Sequence, residues 1–189
     1  QAAHAAASVG AVDAVYASTL DRARITAEII AESIGVGPVI TLDDLQERDA
    51  GEWSGRTRAE IEVDYPGYLA EGRRPPGWEG DDELIARVLP SLEAIGLRHP
   101  DGDVLVVTHG GVIYRVEDHL GEPSGRIANL GGRWVVHDGG EWRLGDRVDL
   151  LGGVTRAEAE AAEAAESGFR VHGALPAQVA ARIFATAST

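Results

Sequence analysis

This sequence contains no cysteine, no methionine and no lysine. Without cysteine, disulfides and thiolate metal sites are excluded. Without lysine, Schiff-base chemistry on the chain is excluded, and all 17 basic residues are arginine. Aromatic residues are sparse at 5%. No apolar run approaches the ~20 residues that a membrane-spanning helix needs. Basic charge is scarce against 31 acidic residues, and the net charge of −14 disfavours nucleic acid or an anionic membrane as a partner. A small anionic substrate is compatible with that balance only where arginines concentrate locally. No secretory signal pattern is legible, so a cytoplasmic protein is expected.

At 189 residues the chain is long enough for one good core. Residues 1–150 read as one α/β domain and 151–189 as a helical tail of different composition. The first residues, Gln1-Ala-Ala-His-Ala-Ala-Ala7, look helical and carry no methionine, so a truncated or processed start is expected.

Asp13-Ala-Val-Tyr-Ala-Ser18 reads as a strand, with Thr19 as the cap of the helix that follows. Leu20, Ala23, Ala27, Ile30 and Ile34 trace one helical face, closed by Gly35 and Gly37. Pro38–Leu42 is a second strand, and 43–56 a polar loop. Thr57-Arg-Ala-Glu60 is a capping box for a short helix ended by Pro66. After a Pro/Gly loop at 71–80, Leu84, Val88, Leu92 and Ile95 mark a longer amphipathic helix. Strand 103–108 and helix 111–120 follow, then a hairpin at 133–144 turning on Asp138-Gly139. In the tail, Thr155-Arg-Ala-Glu158 caps an Ala/Glu run, and 176–187 can form a last helix. Strands alternating with helices predict a mostly parallel sheet covered on both faces, an α/β/α sandwich.

The segment Val104-Leu-Val-Val-Thr-His109-Gly110-Gly-Val112 is the most informative. It places His109 at the carboxyl end of a buried strand, where open α/β sheets bind ligands. Gly110 and Gly111 let backbone N–H groups approach an anion closely. A strand-end histidine also serves purely structural roles. Arg22 stands at a strand-to-helix turn, where a guanidinium can grip phosphate oxygens, or it is a plain surface arginine. In Leu45-Gln-Glu47 through Gly51-Glu-Trp53-Ser-Gly55, Trp53 can shield a carboxyl group from water and make Glu47 a general acid; a solvated acidic loop is the alternative. Glu79, in Pro75-Pro-Gly-Trp-Glu79, lines the same pocket or simply favours the following helix terminus.

Taken together, these segments resemble the histidine phosphatase superfamily, the phosphoglycerate-mutase-like fold. Ser18-Thr-Leu-Asp-Arg22-Ala-Arg-Ile-Thr26-Ala27, Leu45-Gln-Glu47 with Gly51-Glu-Trp53-Ser-Gly55, Pro76-Gly-Trp-Glu79, and Val106-Val-Thr-His109-Gly110-Gly111 match its motifs in order over residues 1–150. The resemblance implies a metal-independent phosphomonoester hydrolase, without cofactor, acting on a small phosphorylated substrate through a phosphohistidine. His109, Arg22 and Glu47 would be catalytic, with Gly110, Glu79 and Trp53 at the substrate. Mutases of the family carry a longer insertion before the second histidine, so the compact interval here favours phosphatase over a mutase-type phosphotransferase. A homodimer is compatible with the resemblance.

One motif is missing. The family's nucleophile lies in Arg-His-Gly at the end of its first strand, and no Arg-His-Gly occurs here; Arg170-Val-His172-Gly173 comes nearest. Gln1-Ala2 is similar to the end of the family's first helix, which places that strand upstream. The expectation is that this chain lacks the first strand, that strands 13–18 and 103–108 therefore show open edges, and that the chain alone is inactive. A non-catalytic phosphate-binding protein is the alternative.

Overall fold

Val15, Ala17, Leu105 and Val107 face one side of a parallel sheet, and Tyr16, Val104 and Val106 face the other, as the two-residue period of extended chain requires. The computed structural model describes residues 2–122, 127–138 and 141–150. The predicted tail cap at Thr155, the helix at 176–187, Arg170-Val-His172-Gly173 and the turn residue Gly139 lie outside the described residues.

The elements are α1 (Ala2–Val9), β1 (Ala14–Ser18), α2 (Asp21–Ile34), β2 (Ile40–Leu42), α3 (Arg58–Asp64), α4 (Asp81–Arg98), β3 (Val104–Val107), α5 (Gly110–His119), β4 (Gly131–Asp138) and β5 (Glu141–Asp149). β1 pairs in parallel with both β2 and β3, giving the order β2-β1-β3. β4 and β5 form a separate antiparallel hairpin. On one face, Ala5 and Val9 of α1 and Ala23, Ala27 and Ile30 of α2 pack on the sheet. On the other, Leu84, Val88, Leu92 and Ile95 of α4 and Val112 and Val116 of α5 do so, joined by Val135 of the hairpin. The three layers expected from the sequence are present. Each fully buried Val, Leu or Ile side chain stabilises such a core by roughly 1.5–3 kcal/mol, which is why every residue of β3 is apolar and buried.

Local signals explain the boundaries. Gly35 ends α2 in the left-handed region at φ 71°, with Val36 N–H donating to Ala31 O. The Thr57–Glu60 capping box starts α3. Thr19, however, does not cap α2. Leu20 holds that position, because the Thr19 hydroxyl donates to Asp43 Oδ1 at 2.7 Å and accepts from Gln46 Nε2 at 2.6 Å. β2 begins at Ile40 rather than Pro38, and the hairpin is longer than 133–144 at both ends.

The expectation of open edges on both β1 and β3 is corrected. β1 is the central strand, hydrogen-bonded on both sides, and β3 alone of the two has a free edge among the described residues. Among the described residues the sheet ends at β3, and the hairpin stands as a separate sheet. An apolar pocket sits in that region, lined by Leu45, Leu92, Thr108, Val112, Val135 and Leu144 among others; Arg22, Glu47 and His109 do not line it.

Candidate active site

Adjacent parallel strands β1 and β3 send their following helices to opposite faces of the sheet, α2 to one and α5 to the other. Such a divergence opens a crevice at the strands' carboxyl ends. Ser18 closes β1 and His109 follows β3, so both lie at that edge.

His109 is fully buried there, and its Nε2 lies 2.8 Å from Ser18 Oγ. Its Nδ1 has no hydrogen-bond partner among the described residues. The sequence placed this ring in an open crevice; packing and the Ser18 contact instead shield it from water. Burial, and then the charges of Arg22 and Arg87, push its pKa down to about 4. The imidazole is therefore neutral near pH 7.

Arg22 lies in the first turn of α2, is exposed, and has no acidic partner among the described residues. Its positive charge is felt at His109. The neighbouring Arg24, by contrast, is held by Asp21 and Glu28. A guanidinium kept out of ion pairs beside two helix N-termini is suited to an anion.

Glu47 is half-buried. Its Oε2 accepts from Gly111 N–H at 3.1 Å and its Oε1 from Arg48 N–H at 2.8 Å. The carboxylate thus sits at the N-terminus of α5, two residues beyond His109. A Cβ on Gly111 would run into Glu47 Oε1, so the close approach depends on glycine. Thr108 Oγ1 donates to Leu45 O at 2.6 Å and ties the Glu47 loop to the end of β3. Gly110 is buried as the first residue of α5.

Glu79 and Trp53 are each held by further partners. Glu79 forms an ion pair with Arg87, at 2.6 Å to Nε and 2.8 Å to Nη2. Hydrogen bonds from Arg87 and from Asp49 N–H hold it below the usual carboxylate range in spite of burial. It is an ionised anchor for the Arg87 guanidinium. Trp53 is buried, with its ring edge-on to Tyr65 at 6.0 Å and to Trp78 at 5.9 Å. These contacts fasten the loop at 49–53 to that at 75–79, where Gly51, at φ 56°, lies against Pro76 and Gly77.

Arg87 and Ser18 were given no role from the sequence. For Arg87 a signal was present: a cation three residues after Leu84 and one before Val88, on the flank of the buried stripe of α4, calls for a partner. No group of acidic or histidine side chains suited to a metal ion occurs among the described residues. No described helix is long and apolar enough to cross a membrane.

Known proteins resemble this chain in sequence and in fold. The chain is 31% identical over 141 residues to phosphoglycerate mutase-like protein 4 of Arabidopsis thaliana, covering 69% of this chain and 61% of that protein. It is 35% identical over 133 residues to the metal-independent phosphoserine phosphatase of the same plant, covering 66% of this chain and 56% of that protein. The chain therefore spans less than two thirds of the length of either. Among solved structures, Bacillus stearothermophilus YhfR superposes with a TM-score of 0.67 at 25% identity, over 76% of this chain and 78% of that one. A mycobacterial glucosyl-3-phosphoglycerate phosphatase, solved in complex with VO3, superposes with a TM-score of 0.66 at 27% identity, over 76% and 80%. A family model matches residues 1–145, the span that holds β1 to β3 and the Arg22, Glu47 and His109 segments, and by that match this chain belongs to the histidine phosphatase superfamily, branch 1.

Proposed function

We propose that this chain belongs to a phosphomonoester hydrolase in which Arg22, His109 and Glu47 act on one phosphoryl group. The observation that supports the reading is what stands at the carboxyl ends of β1 and β3: a neutral buried imidazole under the charge of Arg22, an arginine with no acidic partner among the described residues, and a Glu47 carboxylate held at the N-terminus of α5.

The reaction has two steps. A histidine nitrogen supplied by the family's Arg-His-Gly strand attacks phosphorus as the ester P–O bond breaks. The Glu47 carboxyl group gives its proton to the departing oxygen. Water then attacks the phosphohistidine, Glu47 takes a proton from it, the P–N bond breaks, and inorganic phosphate leaves. Arg22 and His109 stabilise the equatorial oxygens where charge develops. His109 enters as a neutral donor rather than a fixed cation, and a dianion beside it raises its proton affinity. The free edge of β3 and the apolar pocket beside it support a place for that further strand between β3 and the hairpin. The substrate is a small phosphorylated molecule, as the names of the phosphoserine and glucosyl-3-phosphoglycerate phosphatases indicate for those proteins. A cytoplasmic location belongs to the same reading.

The test is anion binding by the 189-residue chain, titrated with orthovanadate and followed by 51V NMR. Weak saturable binding is expected, lost in Arg22→Ala and in His109→Ala and retained in Arg98→Ala. Equal binding by all four proteins would refute the assignment.

A further inference from the structure

The side chain of Arg87 reaches from α4 to two separate loops. Its Nε–H donates to Glu79 Oε1 at 2.6 Å. Its Nη1 donates to Asp44 O at 2.6 Å and to Gln46 O at 2.9 Å. Its Nη2 donates to Glu79 Oε2 at 2.8 Å and to Glu47 O at 3.3 Å. An arginine has five N–H donors in a fixed planar fork, and these contacts use every one of them. Three acceptors are backbone carbonyls of the segment that carries Glu47. The other two are the oxygens of Glu79, which also accepts from Asp49 N–H at 3.1 Å. The Glu47 backbone is thereby held from below by Arg87 while its carboxylate is held by Gly111 N–H. Lysine has three donors on a rotating ammonium and cannot reproduce this fork.

We infer that Arg87 is the positioning residue for Glu47: its guanidinium gathers the 44–47 carbonyls and the Glu79 carboxylate into one rigid seat that aims the Glu47 carboxyl group at the departing oxygen. The inference rests on the reading of Glu47 as the proton donor. A merely structural Arg87 would affect all substrates alike. A positioning Arg87 matters most where proton donation matters most, with poor leaving groups.

The experiment compares kcat/KM for an alkyl phosphate and for 4-nitrophenyl phosphate in the complete protein, as wild type, Arg87→Lys, Glu47→Gln and the double variant. Arg87→Lys is expected to slow the alkyl phosphate roughly 10-fold more than the nitrophenyl ester, and to add little in the Glu47→Gln background. Glu79→Gln, which preserves shape and weakens the seat, is expected to show the same selectivity in smaller measure and serves if Arg87→Lys does not fold. Equal slowing of both substrates by Arg87→Lys and by Glu79→Gln, or full additivity with Glu47→Gln, would overturn the positioning role while leaving Glu47 as the acid. Equal slowing of both substrates by Glu47→Gln would overturn the acid assignment and the inference with it.

Discussion

The imidazole of His109 and the hydroxyl of Ser18, 91 residues apart in sequence, meet at 2.8 Å across the carboxyl ends of two neighbouring parallel strands. This contact joins the two segments whose sequences promised phosphate chemistry, and it does so inside the protein rather than in solvent. Burial makes the protonated ring costly, and the nearby Arg22 and Arg87 charges add to that cost.

His109 should therefore titrate near pH 4, well below the usual 6.5, in a 1H–15N NMR titration of the unliganded chain. Because its proton affinity is lower folded than unfolded, the unfolded state binds more protons between pH 6.5 and 4. Stability is complete above about 6.5 and falls as the pH drops through this window, by about 3 kcal/mol in all for this one group. His109→Asn should flatten that part of the stability–pH curve. Saturating phosphate should move the His109 titration upward. An unliganded midpoint at or above 6.5 would contradict the burial argument.

Gly111→Ala tests the Glu47 seat at α5. The added methyl group meets the Glu47 carboxylate, the far end of a flexible side chain, so the fold should tolerate it and the melting temperature should change little. The carboxylate must move off Gly111 N–H, and turnover of a poor leaving group in the complete protein should fall roughly 100-fold, the cost of misplacing a reacting group by about 1 Å. Unchanged turnover would separate Glu47 from the chemistry.

Gly51→Ala should act in the opposite sense, on stability. Here the new Cβ meets the Pro76 carbonyl and the backbone of Gly77 and Trp78, which cannot yield, and φ is 56°. A loss of roughly 1–3 kcal/mol in urea unfolding is expected.

Much of the fold was legible because its local signals agree with its burial. The four buried apolar residues of β3, the 84/88/92/95 stripe of α4 and the Thr57–Glu60 box each declare one structure by period or by cap. Thr19 misled because its hydroxyl found partners in Asp43 and Gln46, contacts across 24 and 27 residues that no local rule reveals. The central place of β1 was equally hidden, since strand order is a matter of pairing and not of pattern. At the site, Arg22, Glu47 and His109 were visible as chemistry at motif spacing. The pairing of Glu79 with Arg87 was not, because an ion pair eight residues apart on a loop and a helix depends on how the loop turns back. The burial of His109 depended likewise on Ser18 arriving from another strand.

Glu117 provides a test of how the hairpin is held. It is buried in α5 and accepts from Arg147 of β5 at 2.8 and 2.6 Å. Glu117→Ala leaves a guanidinium without its partner, and a loss of about 3 kcal/mol is expected, the lower end of the range because the Arg147 side chain is 28% exposed. Differential scanning calorimetry measures it. A change within about 0.5 kcal/mol, as for an ordinary surface substitution, would show that the pair does not fasten β5 to α5.

Metal-independent turnover tests phosphoryl transfer by this protein. 4-Nitrophenyl phosphate hydrolysis is followed in excess EDTA for the 189-residue chain and for the same chain with an Arg-His-Gly strand segment joined ahead of Gln1. Little or no turnover is expected of the first and steady turnover of the second, with a loss on the order of 100-fold or more when His109→Ala is introduced into the second, as removal of a transition-state donor gives. A folded extended protein that carries Arg-His-Gly yet releases no phosphate, or one that keeps full activity after His109→Ala, would contradict this expectation.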